Sequence, residues 1–351
     1  MRPFAEARDI LVARARTPRT PFRWADPAVV ESVLDRLGTL DAEAWCAAWS
    51  DIAAEHEKAE RWDLAYEHYR IARYPTIRCA AQREAYRRSQ ECYLRLPHDP
   101  PIDRVRLPFR GGGTVVGDLR LPRGAERPPV VVLWGGIDSY KEERHTDAYL
   151  RAGFATFAMD MPGTGDAPIA GSEDAERLWD DVLDGLAARA DVDGQRVVLV
   201  GNSTGGYWAA KLAHTHRERL VAAVDHGGPA HYAFAREWIE RAERGEYPFA
   251  LAETLARAFG GASENEWVER APRLSLLDLG ILDRPCAPLL LVNGTEDSVF
   301  PIRDMYLLLE HGGPKSARFY PGGHMGPHAA DGAIVAWVRS RFAPASPRRG
   351  T

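Results

Sequence analysis

Val197-Val198-Leu199-Val200-Gly201-Asn202-Ser203-Thr204-Gly205-Gly206-Tyr207-Trp208-Ala209-Ala210-Lys211-Leu212-Ala213 decides the fold. An apolar, β-branched run ends in Gly-x-Ser-x-Gly, and a helix-forming run follows at once. A buried strand that turns sharply into a helix leaves a serine on a strained corner, with its hydroxyl proud of the sheet. Glycine is needed at 201 and 205, because a Cβ at either place would collide across so tight a turn. The helix N-terminus then aims free N–H groups and partial positive charge at whatever Ser203 attacks. An ordinary glycine-rich strand–helix turn has the same outline, and only the flanking strand and helix lift the motif above chance.

Outward from this stretch the chain alternates. Strands are predicted at 129–134, 154–159, 196–200, 220–225, 288–294 and 317–320. Helices are predicted at 140–152, 175–190, 207–216, 303–311 and 329–342. Alternation of this kind builds a parallel sheet with helices on both faces. A period-two hairpin, 104–109 and 114–121 joined by Gly111-Gly112-Gly113, precedes it. Residues 101–229 and 284–342 therefore read as the α/β core. Between them, 230–283 carries helical, Trp- and Phe-bearing sequence without a clear strand, which reads as a helical cap insertion. Residues 1–100 read as a helical accessory or lid domain, with helices at 27–37, 42–70 and 77–96 and a break at Pro75. The Pro/Arg-rich stretch 343–351 reads as a disordered tail.

Serine needs a base, and the base needs an orienting acid. On a sheet of this kind the chain order is serine, acid, histidine. Asn293-Gly294-Thr295-Glu296-Asp297 follows one buried strand and Pro321-Gly322-Gly323-His324-Met325-Gly326 follows the next. Both loops should open onto the edge that carries Ser203. Asp297 is the candidate orienter, with Glu296 as fallback, and His324 is the candidate base. The oxyanion needs donors. One is the N–H of Thr204; the other is that of Gly136 or Ile137, in the loop Gly135-Gly136-Ile137-Asp138-Ser139 after the strand ending at Trp134.

These features resemble the α/β-hydrolase superfamily over roughly residues 100–342. More narrowly, Gly135-Gly136-Ile137-Asp138-Ser139-Tyr140-Lys141-Glu142-Glu143 and the helical region before the core are similar to one group within it. That group holds the fermentation–respiration switch protein, 2,6-dihydroxypseudooxynicotine hydrolase and the fungal polyketide-shortening pigment hydrolases. The resemblance implies a triad of Ser203, Asp297 and His324, with the N-terminal helices and the 230–283 insertion over the active site. It also implies hydrolysis of a C–C bond beside a ketone in a bulky aromatic or polyketide-like small molecule, or of an ester. A plain carboxylesterase or lactonase, an acyl transferase or cyclase, and a hydrolase-fold binder without turnover are the alternatives.

A C–C hydrolase must protonate a leaving carbon and keep bulk water out. His226 and His231 are candidate proton sources at the sheet edge, although packed histidines are commoner. Trp134, Tyr207, Trp208, Trp238 and Trp267 are candidates for stacking on an aromatic ligand, against the blander reading as core. Asp138, Glu142 and Glu143 are read as shaping their loop or capping the helix that follows. No metal or organic cofactor is implied.

The 351 residues are 45% hydrophobic and 27% charged, with a net charge of −5. This is the balance of a soluble globular protein with no electrostatic footprint for nucleic acid or an anionic membrane. No apolar run reaches the roughly 18 residues of a membrane span, and no signal-peptide h-region follows the N-terminus. The four scattered cysteines, without C-x-x-C, fit reduced thiols and a cytoplasmic setting. The aromatic N-terminal helices fit a homodimer contact as readily as a lid.

Overall fold

The computed structural model describes residues 3–17, 21–22 and 24–342. Eight strands form one sheet. They are β1 (Asp103–Pro108), β2 (Thr114–Arg120), β3 (Pro129–Trp134), β4 (Ala155–Met159), β5 (Asp193–Asn202), β6 (Ala222–His226), β7 (Leu289–Gly294) and β8 (Lys315–Tyr320). Their order across the sheet is β1-β2-β4-β3-β5-β6-β7-β8. The β1–β2 hairpin joins antiparallel to β4, and from β4 onward every neighbour is parallel. This is the α/β architecture that the sequence alternation predicts.

Burial on both faces explains the apolar strands. Val130, Val132 and Trp134 turn to one side of β3 and Val131 and Leu133 to the other, and all are buried. The side taking Val131, Leu133, Val198 and Val224 is covered by Ile334, Trp337 and Val338 of the helix Ala329–Ser340. The opposite side opens into a larger core. It runs through Trp134, Trp179 and Trp208 and on to Trp45, Trp49 and Tyr69 of the N-terminal helices.

Those helices are Phe4–Arg16, Pro27–Leu37, Ala42–Lys58, Trp62–Ala72 and Ala80–Arg95. Asp26 and Asp41 cap two of them, accepting hydrogen bonds from Ala28 N and from Glu43 N and Ala44 N. The single helix predicted over 42–70 is instead two. Glu60 takes a φ of +55° and the chain doubles back. The turn lets Trp45 Nε1 donate to the Ile71 carbonyl at 2.8 Å, across the hairpin.

The helix predicted over 140–152 is also replaced, by a tight turn at Lys141–Glu143 and a short helix, Asp147–Arg151. The three charged side chains of the turn are buried and each has fixed partners. Lys141 Nζ donates to Asp160 Oδ2 at 2.9 Å and to Asp166 Oδ2 at 2.6 Å. Glu142 accepts from Arg104 and Gln90 at 3.0 Å each. Glu143 is held by Arg70 and Arg73. Tied down at consecutive residues, the backbone cannot run on as a helix.

Between β6 and β7 lie the helices Arg236–Ala242, Leu251–Ala258 and Glu264–Arg270, and no strand. Asp304, fully buried, anchors the start of this segment by accepting from the N–H groups of Ala230, His231, Tyr232 and Ala233. Phe249 within it packs edge-on against Trp45, with ring centroids 5.5 Å apart. No helix of the described residues is long and apolar enough to cross a membrane. The stretch 343–351 lies outside the described residues.

Candidate active site

β5 ends at Asn202 and the helix Thr204–Thr215 begins two residues later, so Ser203 alone makes the corner. It sits at φ +55°, ψ −133°, a region that side chains other than glycine rarely occupy. Glycine is required on either side. A Cβ on Gly201 would lie 2.2 Å from the Gly205 carbonyl oxygen, and one on Gly205 2.3 Å from that of Gly135. Ser203 N donates to the His226 carbonyl at 2.8 Å, which stitches the corner to β6.

Asp297 and His324 come from the loops after β7 and β8. His324 Nδ1 donates to Asp297 Oδ2 at 2.8 Å. That bond places the ring proton on Nδ1 and leaves Nε2 as an acceptor for the Ser203 hydroxyl, also at 2.8 Å. Asp297 Oδ1 accepts from Val299 N at 2.7 Å and Phe300 N at 3.0 Å, so the carboxylate is fixed from both ends. Burial pushes the His324 imidazole toward its neutral form. The Asp297 carboxylate and the hydrogen bond to it act the other way, and the net shift is upward from the ordinary histidine value. Glu296, the fallback acid, is exposed.

Two residues that the sequence does not single out complete this frame. Asn293, at the end of β7, donates from Nδ2 to Asp297 Oδ2 at 2.8 Å. Its Oδ1 accepts from Met325 N at 2.9 Å, so one buried amide braces both loops. A lone polar side chain ending the apolar run Leu289–Val292 is the signal that marks it. Glu246, from the segment between β6 and β7, accepts from His324 N at 3.0 Å and from Ser298 Oγ at 3.2 Å. No local pattern marks Glu246.

The loop after β3 lies directly over the serine. A Cβ on Gly136 would stand 2.9 Å from Ser203 Cβ and 3.0 Å from Oγ. The N–H of Thr204, first in its helix, has no carbonyl one turn back to meet. The loop is held from the N-terminal helices. Arg73 Nη1 donates to the Asp138 carbonyl at 2.8 Å, and Tyr74 OH donates to Asp138 Oδ2 at 2.5 Å. Glu143 Oε1 accepts from Tyr140 N at 3.0 Å and closes the far end.

Ser203, Thr204, Gly136, Ile137, His226 and His324 all line a cavity of about 480 Å³. Its other walls are Arg14, Trp24 and Arg70 of the N-terminal region and Glu246, Tyr247 and Leu251 of the segment after β6. The other ligand-contact candidates from the sequence, Trp238 included, lie outside this lining. Trp134 is fully buried beneath the corner, where Nε1 donates to the Gly205 carbonyl at 2.8 Å. Tyr207 is fully buried between Trp208 and Phe234, at centroid distances of 4.8 and 5.7 Å. His231 turns to Ser275 Oγ, 2.7 Å from Nδ1. Trp208 and Trp267 are core as well. His226 stays at the cavity, but its Nε2 donates to the Met325 carbonyl at 2.7 Å. Its buried Nδ1 has no hydrogen-bond partner among the described residues. Burial lowers its proton affinity. A neutral ring with a bare Nδ1 is an acceptor and a poor proton source.

The Esterase FrsA-like family matches residues 41–315. Esterase FrsA of Serratia proteamaculans is 25% identical over 333 residues, spanning 82% of this chain and 79% of that one. Esterase FrsA of Citrobacter koseri is 27% identical over 303 residues, spanning 80% and 71%. Among solved structures, wild-type AbyA5 matches with a TM-score of 0.76 at 24% identity, covering 97% of this chain and 99% of that one. 2,6-Dihydroxy-pseudo-oxynicotine hydrolase matches at 0.70 and 21% identity, covering 91% and 97%. At these identities the structural likeness is one of fold. The family match spans most of the chain, which therefore belongs to the FrsA-like esterases and is an α/β-hydrolase enzyme.

Proposed function

We propose that Ser203, His324 and Asp297 form a catalytic triad that cleaves a C–C bond beside a ketone, or an ester bond, in a bulky small molecule. The observation that carries this reading is the unbroken chain from Ser203 Oγ through His324 to Asp297, two hydrogen bonds of 2.8 Å each. It opens into a cavity whose walls include residues of the N-terminal region and of the segment after β6. Ser203 Oγ attacks the carbonyl carbon as His324 Nε2 takes the hydroxyl proton. Asp297 holds the tautomer and stabilises the imidazolium. The N–H of Thr204 and that of Gly136 or Ile137 receive the oxyanion. When the tetrahedral intermediate collapses, the bond to the leaving group breaks with its electron pair. The imidazolium returns the proton to that carbon or oxygen, so no second acid is needed. Water then attacks the acyl-serine with His324 as base, releasing a carboxylic acid and free serine. Every step uses groups of this chain and water.

The placing of Ser203 and His324 in one cavity walled by the N-terminal region and the segment after β6 supports the ketone reading, because a departing carbanion must meet the imidazolium proton before bulk water does. The esterase name of the curated relatives supports the ester reading. The test compares wild type with Ser203→Ala on a p-nitrophenyl ester and an aryl β-diketone. Serine-dependent cleavage of the diketone establishes C–C hydrolysis, whereas turnover of the ester alone establishes the carboxylesterase. A fluorophosphonate that fails to label Ser203 refutes the triad.

A further inference from the structure

Arg144 stands in the wall of the cavity beside the Gly135–Ser139 loop. Its guanidinium lies so close to the backbone that a Cβ on Gly135 would sit 3.1 Å from Cζ. Nε donates to the Tyr140 carbonyl at 3.3 Å and Nη2 to Ser139 Oγ. Both acceptors are neutral. Nη1 makes no hydrogen bond among the described residues, and no carboxylate among them comes within 4.0 Å of this guanidinium. Neighbouring acids are already engaged. Glu143 is shared by Arg70 and Arg73, Asp138 takes the Tyr74 hydroxyl, and Glu246 holds Ser298 and the His324 N–H. Arg70, which also lines the cavity, differs in being paired with Glu67 and Glu143.

A half-buried cation without a counter-charge is costly, and a guanidinium has five N–H donors in a planar fork suited to a carboxylate. From these contacts we infer that Arg144 is the anchor for a carboxylate on the substrate, so that the enzyme is selective for acidic carbonyl compounds. The inference builds on the proposed serine mechanism, since the anchor and the nucleophile share one cavity. Burial, which here outweighs the neighbouring carboxylates, pulls the guanidinium's proton affinity below its ordinary value, as expected of a cation lacking its anion. An entering carboxylate would take the free Nη1–H and restore neutrality, holding the reacting carbonyl against the Gly136 loop.

Two measurements test this. The first is binding, read by calorimetry with 4-phenylbutyrate and 4-phenylbutyramide, a neutral ligand of nearly the same shape in which an NH2 group replaces one carboxylate oxygen. Wild type should bind the acid about tenfold or more tightly than the amide, the span expected of a charge-assisted hydrogen bond. Arg144→Gln should erase that difference, and Arg144→Lys should keep part of it. The second is turnover of mono-p-nitrophenyl glutarate against p-nitrophenyl valerate, with the preference for the acid expressed in KM. Equal binding of acid and amide by wild type overturns the anchor whether or not either variant folds. So does an acid preference that survives in a folded Arg144→Gln. If wild type binds the acid selectively yet hydrolyses neither ester, the ester-hydrolysis reading fails and the anchor stands.

Discussion

Replacing Tyr74 with phenylalanine removes one hydroxyl from a residue that is 1% exposed and leaves its ring in place. The hydroxyl donates to Asp138 Oδ2 at 2.5 Å, and Asp138 follows directly on Gly136 and Ile137. A hydrogen bond to a charged group contributes about 1.5–3 kcal/mol net, and the abandoned carboxylate is half-buried, so Tyr74→Phe should lose stability in that range. The Asp138 carbonyl keeps its 2.8 Å bond from Arg73, so the loop loosens without collapsing. Complete loss of one oxyanion donor costs about 10²–10³ in kcat. A partial loss of positioning should fall below that, at about tenfold in kcat, with KM changed less than about twofold. Urea unfolding gives the stability, ester kinetics give kcat and KM, and the fluorophosphonate labelling rate reports on the oxyanion donors without turnover. A destabilised Tyr74→Phe with unchanged kcat and labelling rate would refute the claim that the N-terminal helices hold the oxyanion loop.

The upward shift of His324 places the acid limb of kcat/KM above the ordinary histidine value of about 6.5, activity rising with pH as Nε2 is freed. Asp297→Asn should move that limb down and cost on the order of 10⁴ in kcat, both read from a pH–rate profile. Ser203 holds a φ of +55°, so Ser203→Gly should be more stable than Ser203→Ala by about 1 kcal/mol in thermal melts, and ester assays should find both inactive. Asp225 is fully buried and its proton affinity is raised by burial to a pKa of about 7, against an ordinary 3.8. The folded form keeps this proton after the unfolded chain has lost it, so stability should fall as pH rises from 4 to 7 and then level off. The loss is at most about 4 kcal/mol, and Asp225→Asn should flatten that part of the stability–pH curve.

The corner at Ser203 was legible because its chemistry is local: the glycines and the strand–helix switch fall within a few residues of one another. The meeting of Asp297 and His324 on the same edge followed from a rule about parallel sheets. The aromatic side chains resolve to the core reading rather than the ligand-stacking one for a physical reason. Trp134 and Tyr207 lie beside cavity residues in sequence, but alternation along a strand and rotation around a helix turn them into the core. His231 shows the same limit, since its loop is reeled in by Asp304, which is remote in sequence. Glu246 and the Tyr74–Asp138 bond join segments far apart along the chain, and no local spacing encodes them. The break at Glu60 was hidden because both arms of the hairpin carry one continuous apolar stripe.

The contact between Trp45 and Phe249 also bears on how the protein is made. On the ribosome the aromatic face of the early helices emerges long before its partner is translated. Asp297 and His324 arrive later still, so Ser203 lacks its hydrogen-bond partner through most of synthesis. Until then, Trp45 and Trp49 have only their neighbours in the early helices to pack on: each other, Phe22 and His68. The hydrogen bonds linking Ser203, His324 and Asp297 can therefore close only late, when the strand that precedes His324 takes its place at the edge of the sheet.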